Sequence, residues 1–294
     1  MIKIPGGIYR IGTDQKEGFD ADLETPSIEV NIESFYMDET SVTNKEFQVF
    51  VDATNYITEA EKFGWSYVFH LFVSDHLRSR NIVKETPWWV AVPGASWKEP
   101  EGPGSSISDR MDHPVVHITR NDAIAYCRWS GKRLPTEAEW EVAAKGGTEF
   151  EKFYWGEELV LSDGVHRCNT WQGIFPTKNT KEDGYLATAP VKTYPANPLG
   201  LYEMIGNVWE WCVNPGKIDL STFQIVSGQD FWREYQDIDD ALYAIKGGSF
   251  LCHSVYCNRY RMNARNSGTA MSSSQNMGFR CVRDIKKSKI YKVL

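Results

Sequence analysis

The chain has 294 residues, 41% of them hydrophobic and 24% charged, enough to bury one large core at the upper end of single-domain size. Its net charge of −7 argues against a nucleic-acid binder, which would carry a basic face. No apolar run approaches the roughly 18 residues of a membrane-spanning helix, and Met1–Gly7 lacks a signal-peptide core, so a cytoplasmic protein without a membrane partner is expected.

Helix signals are few, and the first lies at Thr43-Asn44-Lys45-Glu46. This is a capping box, followed by Phe47, Phe50 and Val51 at helical spacing. His113–His117 reads as a short strand. There two histidines four positions apart would lie about 13 Å from each other, too far for a shared zinc ion, so both are expected in the core or in hydrogen bonds. A second helix starts at Thr119, with Asp122 as the return partner, Ala123, Ile124, Tyr126 and Cys127 as its apolar stripe, and Gly131 as its stop. The third runs from Thr136, with Glu139 reaching back, to Gly146-Gly147. From 148 to 212 no helical period appears, and Gly, Pro and Asn recur every few residues. Stretches of that kind inside a domain are commonly functional or pinned by ions. Tyr243–Lys246 reads as a strand entering the turn Gly247-Gly248. With 11 Trp, 14 Tyr and 14 Phe, the core is expected to be built from aromatic rings rather than repeated helices.

Six cysteines stand at 127, 168, 212, 252, 257 and 281, and their number alone leaves a disulfide framework, a metal site and a redox pair open. Cys252 and Cys257 are the sharpest feature. They lie among Arg259, Arg261, Arg265 and Arg280, and cations favour the thiolate, which is the reactive and metal-binding form. Two thiolates without an evident third ligand suit a soft, low-coordinate ion such as Cu(I) better than tetrahedral zinc. The spacing by itself fits a structural disulfide or two buried thiols equally well.

The words around the pair decide between these. Gly247-Gly248-Ser249-Phe250-Leu251-Cys252-His253, Tyr256-Cys257-Asn258-Arg259-Tyr260-Arg261 and Asn276-Met277-Gly278-Phe279-Arg280-Cys281 resemble the active-site segment of formylglycine-generating enzymes, the sulfatase-modifying factors. Ile4–Gly7, Pro87-Trp88-Trp89, Gly94–Trp97, Pro100–Pro103, Ala125–Trp129, Gly131–Glu141 and Gly206–Trp211 extend the resemblance, in order, over most of the chain. It implies an α+β fold of C-type-lectin-like architecture, poor in regular structure. One domain would span 1–294, with a core of about 2–284 and a basic tail over 285–294.

By the same resemblance the chain is an oxidase that uses O2 to convert a cysteine within Cys-x-Pro-x-Arg of an unfolded sulfatase into formylglycine, with a thiol as reductant. Cys252 and Cys257 would hold one Cu(I), the client cysteine would add its sulfur, its β-carbon would lose a hydrogen, and the thioaldehyde would hydrolyse. Ser249 matches a serine beside the copper, although a plain turn residue after Gly247-Gly248 is an equal reading. Trp88, Asn207, Trp209 and Asn276 match the substrate groove. One structural calcium would take Asn169 and Asp183 with the carbonyls of Thr170 and Tyr185. A second would take Glu203 and Glu210 with the carbonyls of Gly206 and Val208, Glu203 standing where relatives carry Asn. Cys127 and Cys281 match a disulfide of secretory relatives. A second such disulfide has no counterpart, its positions being Ala144 and Met262. Cys168 and Cys212 read as small buried hydrophobes.

Three rivals remain. A non-catalytic binding paralogue of the fold would have lost a cysteine. An iron-dependent sulfoxide synthase would need a helical bundle carrying a histidine triad. A thiol–disulfide exchanger would show Cys-x-x-Cys at a helix N-terminus. Residues 213–244 depart from the family pattern. They read as an acidic, solvated surface insertion, with a border of the substrate groove as the other assignment.

Overall fold

The computed structural model describes residues 1–285 except 151 and 238; most of the expected basic tail therefore lies outside the described residues. Short helices lie among small sheets, as the α+β expectation requires. Helices α1 (Asn44–Thr54), α2 (Glu59–Phe63), α3 (Asp75–Asn81), α4 (Arg120–Ser130), α5 (Glu137–Lys145) and α6 (Gly228–Tyr235) follow in chain order. The three helices expected from sequence are α1, α4 and α5. Each opens on its capping box, Thr43/Glu46, Thr119/Asp122 and Thr136/Glu139, and each closes on a left-handed residue, Asn55, Gly131 or Gly146. Helix α2 carries a fourth such box, Thr58/Glu61, which precedes too short an apolar period to stand out in the sequence.

A four-stranded sheet forms the centre. Its order is Asn266–Thr269, Leu242–Lys246, Trp209–Pro215, Met277–Gly278, antiparallel except for the last pair. The register sets Ile245 opposite Trp211, and Lys246 opposite Glu210. A second sheet pairs Ile2–Ile4 and Val282–Asp284 on either side of Phe35–Met37, which brings the two ends of the described chain together. The hairpins Gly7–Ile11/Ile28–Ile32 and Trp65–Phe69/Trp89–Pro93 complete the frame. Rings fill the core as expected. Phe47 meets Phe50, Trp97, Tyr126 and Phe279 within 6.5 Å, mostly edge to face, while Trp140 and, on the central strand Trp209–Pro215, Trp211 are fully buried.

Two expectations change. His113–His117 is not a strand: only Pro114 bridges to Thr43, and His117 adopts φ +59°. The reversal buries the His117 ring, whose nitrogens bond Ser66 Oγ (2.7 Å) and the Pro100 carbonyl (2.9 Å). Burial holds its pKa down at about 4, so it stays neutral, a packed and bonded side chain as expected. Nor are residues 213–244 a solvated insertion. They form a 3-10 turn, Leu220–Gln224, and α6, and bury Leu220, Phe223 and Phe231. Arg120, fully buried on α4, stacks on Tyr243 at 3.3 Å and donates to the carbonyls of Val213, Tyr235 and Asp237, stapling the segment down.

Candidate active site

The central strand Leu242–Lys246 ends in Gly247 and Gly248, both at positive φ (91° and 75°). A Cβ on Gly248 would meet Tyr260 Cα at 2.9 Å, so the chain can turn here only on glycine. The turn delivers Ser249 and then Cys252, whose N–H donates to the Ser249 carbonyl (2.9 Å). The carbonyl of His253 then accepts from Tyr256, Cys257 and Asn258 at 3.0, 2.8 and 3.2 Å, which folds the second cysteine back onto the first. The sulfurs of Cys252 and Cys257 lie 2.9 Å apart, as free thiols well beyond the roughly 2.05 Å of a disulfide, and the residues are 2% and 5% exposed.

The two thiols are not equivalent. Burial pushes Cys252 well above the ordinary thiol range, and its S–H donates to Cys257. That donation holds Cys257 below its usual value against the cost of burial, helped by the backbone N–H and the guanidinium of Arg259. Ser249 is more than a turn residue. Its Oγ accepts from Asn276 Nδ2 (2.8 Å) and Leu251 N–H (3.3 Å), and the residue donates through backbone and hydroxyl to the Cys252 sulfur.

Both cysteines open into a cleft of 410 Å³. Trp88, Trp209 and Asn276 line it, as expected from sequence. Asn207 does not. Its amide is consumed by Ala189 N–H (2.9 Å), the Ala189 carbonyl (3.1 Å) and Asn169 Nδ2 (3.2 Å), so it is a buried support whose carbonyl holds Phe250 N–H. Sequence reading passed over Tyr256 and Phe175. They stack 4.5 Å apart with planes 6° off parallel, and Trp88 packs edge-on against both. Tyr256 is pushed up to about 12, chiefly by burial, and remains a phenol. The only signals for these rings were the density of aromatics and the helix-free run containing Phe175.

Four arginines were expected around the thiols, but only Arg259 serves them. Arg261 pairs with Glu24, Arg265 with Glu137 and Arg280 with Glu210, each at 2.6–2.7 Å and almost wholly buried. These pairs are spent on each other and leave Arg259, among the described residues, as the one charged side chain lining the cleft.

Two buried thiols at the floor of a cleft, with no third His, Cys, Asp or Glu grouped with them among the described residues, are a donor set suited to a soft, low-coordinate ion. The first calcium set also has fitting chemistry. Among the described residues the buried Asp183 carboxylate accepts only from neutral N–H donors, of Thr170, Gln172 and Tyr185, and burial raises its pKa. Beside it, Asn169 Oδ1 is buried and has no hydrogen-bond partner among the described residues. Oxygens of this kind are what a hard cation such as Ca²⁺ would take. The second set does not fit as assigned. Glu210 spends both oxygens on Arg280, Ser41 Oγ (2.7 Å) and Trp140 Nε1 (2.7 Å), while the Glu203 carboxylate turns to the N–H groups of Lys192 and Tyr194. Cys127 and Cys281 are buried free thiols with sulfurs 3.5 Å apart, and Cys168 and Cys212 are buried.

A sequence model of the sulfatase-modifying factor enzyme 1-like domain matches residues 1–285. The chain belongs to the sulfatase-modifying factor family. Within that family it is 50% identical, over 285 residues, to the formylglycine-generating enzyme of Thermomonospora curvata, covering 97% of this chain and 93% of that one. The enzyme of the same name from Streptomyces coelicolor is 48% identical over 294 residues, covering 97% and 89%. Among solved structures, PvdO from Pseudomonas aeruginosa superposes with a TM-score of 0.67 at 21% identity over 96% of this chain and 93% of that one; that likeness concerns the fold. No helix among the described residues is long and apolar enough to cross a membrane.

Proposed function

We propose that this member of the sulfatase-modifying factor family is an oxidase that converts a sulfatase cysteine to formylglycine at Cys252 and Cys257. The observation that carries the reading is the free dithiol, 2.9 Å between sulfurs, at the floor of a 410 Å³ cleft. A non-catalytic paralogue would have no need to keep two thiols together there. The client is read as an unfolded segment carrying Cys-x-Pro-x-Arg. The wall of Trp88, Phe175 and Tyr256 offers flat rings of the kind that receive proline-bearing extended chains.

In this reading Cys252 and Cys257 hold Cu(I), which supplies the one-electron chemistry with O2 that side chains lack. The protein's own part is positional. Asn276 fixes Ser249, and Ser249 in turn donates to the Cys252 sulfur. Trp88 and Tyr256 shield the site, and the neutral phenol is a donor for a client carbonyl. The reaction balances as client thiol, O2 and two reductant thiols giving formylglycine, hydrogen sulfide, water and one disulfide.

The test is a Cys-x-Pro-x-Arg peptide incubated with the Cu(I)-loaded chain, a thiol and air, followed by mass spectrometry. The expected product has lost sulfur and two hydrogens and gained one oxygen. It should fail to form without O2 or after Cu(I) chelation. Turnover that persists in the chelated, metal-free protein would overturn the copper assignment; an unchanged peptide beside a copper-loaded chain would overturn the activity.

For Asn169, Thr170, Asp183 and Tyr185 the reading is a structural Ca²⁺. Chelating calcium is expected to lower the Tm of the wild type by several degrees, on the order of a 1–2 kcal/mol loss. Asp183→Asn should show no such response in the same scan. Equal Tm values with and without calcium would remove the ion from the assignment.

A further inference from the structure

Two thiolates around a monovalent cation leave one net negative charge in a site whose cysteines are 2% and 5% exposed, and a buried charge must be matched nearby. Among the described residues lining the cleft only Arg259 carries a charge, and it already bonds Cys257 through backbone and guanidinium. A guanidinium on a long stem needs holding if its charge is to stay in place. Asp22 provides the hold. It is fully buried at the end of the turn Asp20–Asp22, and its carboxylate takes Arg259 Nε (2.5 Å) and Nη2 (3.2 Å). The Phe19 ring stacks on the same guanidinium at 4.5 Å. Asp22 alone would cancel the charge it positions. Lys217, from the 213–244 segment, answers it with Nζ 2.9 Å from Oδ1. Counted with Cu(I), the cluster holds three positive charges, on the ion, Arg259 and Lys217, against three negative, on two thiolates and Asp22.

We propose that Arg259 is the counter-cation of the Cys252–Cys257 metal centre, and that Asp22 and Lys217 are the positioning residues that keep it there. The proposal rests on the copper reading above. It gives two segments that do not line the cleft, the N-terminal strap of residues 17–23 and 213–244, a shared task at the metal. Neighbouring bonds dock the strap against the cysteine segment, with Asn258 Nδ2 donating to the Glu17 carbonyl (2.9 Å) and Arg265 Nη1 to the Leu23 carbonyl (2.8 Å).

The test measures Cu(I) affinity of the full chain, anaerobically, against a chromophoric Cu(I) chelator. Arg259→Gln is expected to weaken binding about 10–100-fold, the range seen when an outer-shell partner of a metal ligand is lost, and Arg259→Lys to recover most of it. Asp22→Asn should weaken binding on the same scale. In the Arg259→Gln background it should add little, because it acts through the residue already removed. An unchanged affinity in Arg259→Gln overturns the proposal, and a fully additive Asp22→Asn effect overturns the positioning role. If Arg259→Gln does not fold, Lys217→Met, at a side chain 30% exposed, decides: a loss of about threefold is expected for one partly screened charge, and an unchanged affinity overturns the proposal. A wild-type chain that takes up no Cu(I) overturns the copper reading itself, and this inference with it.

Discussion

Cys252→Ser and Cys257→Ser are each expected to lower turnover of a Cys-x-Pro-x-Arg peptide on the order of 10³-fold or more while leaving the fold intact. Serine matches cysteine in shape, and both sulfurs already bond within their own turn, so packing around Tyr260 should persist. What disappears is the soft donor: a hydroxyl neither ionises at neutral pH nor binds a soft monovalent metal well. The two losses should not add, since one remaining thiol is as useless to a two-sulfur site as none. Peptide mass and thermal unfolding, read together on both singles and the double, check this. Either single variant retaining near wild-type turnover would show that the pair is not the reacting centre. A matching fall in Tm would instead assign the loss to unfolding.

Arg280→Met is expected to cost about 3–5 kcal/mol of stability, the penalty for stranding a buried carboxylate. Arg280 and Glu210 are 0% and 1% exposed and bond through two parallel contacts of 2.7 and 2.9 Å. The same guanidinium also gathers the carbonyls of Tyr202 and Glu39 at 2.9 and 3.3 Å, so its loss frees the loop leading to Trp209 as well as the charge. Pairing Arg280→Met with Glu210→Met should recover much of the loss, because an apolar pair of similar volume leaves no stranded charge. Urea unfolding of the singles and the double measures the coupling. Added calcium should not rescue Arg280→Met; a rescue would restore the second calcium site that the hydrogen bonds of Glu203 and Glu210 argue against.

Much of this protein was legible along the chain because the signals are local. A capping box needs only a threonine and an acid three residues on, so the starts of α1, α4 and α5 are legible in the sequence, and glycines mark the ends of α4 and α5, while the Asn55 end of α1 shows only in the fold. The Gly247-Gly248 turn, Ser249, Cys252 and Cys257 fall within eleven residues, so the cysteine pair stands out before any fold is known. Even His113 and His117 were rightly assigned to packing and hydrogen bonds, although the strand proposed for them was wrong: a left-handed turn at His117, driven by burial of its ring between Ser66 and Pro100, left no local mark.

The remainder was decided by contacts across the whole chain. Four arginines near the thiols look alike in sequence. Only tertiary structure gives three of them to Glu24, Glu137 and Glu210, the first of these 237 residues away, and leaves Arg259 at the cleft. Asn207 looks like a substrate ligand until the backbone of Ala189 is seen to occupy its amide. Tyr256 and Phe175 become a wall only when a helix-free run folds against the cysteine turn. The physical reason is the same in each case. The sequence by itself determined which groups could react and which turns could present them, since those depend on neighbours a few positions apart. Which charges are neutralised, which amides are already spent and which rings face a cleft depend on partners brought together by burial, and so only the fold could decide them.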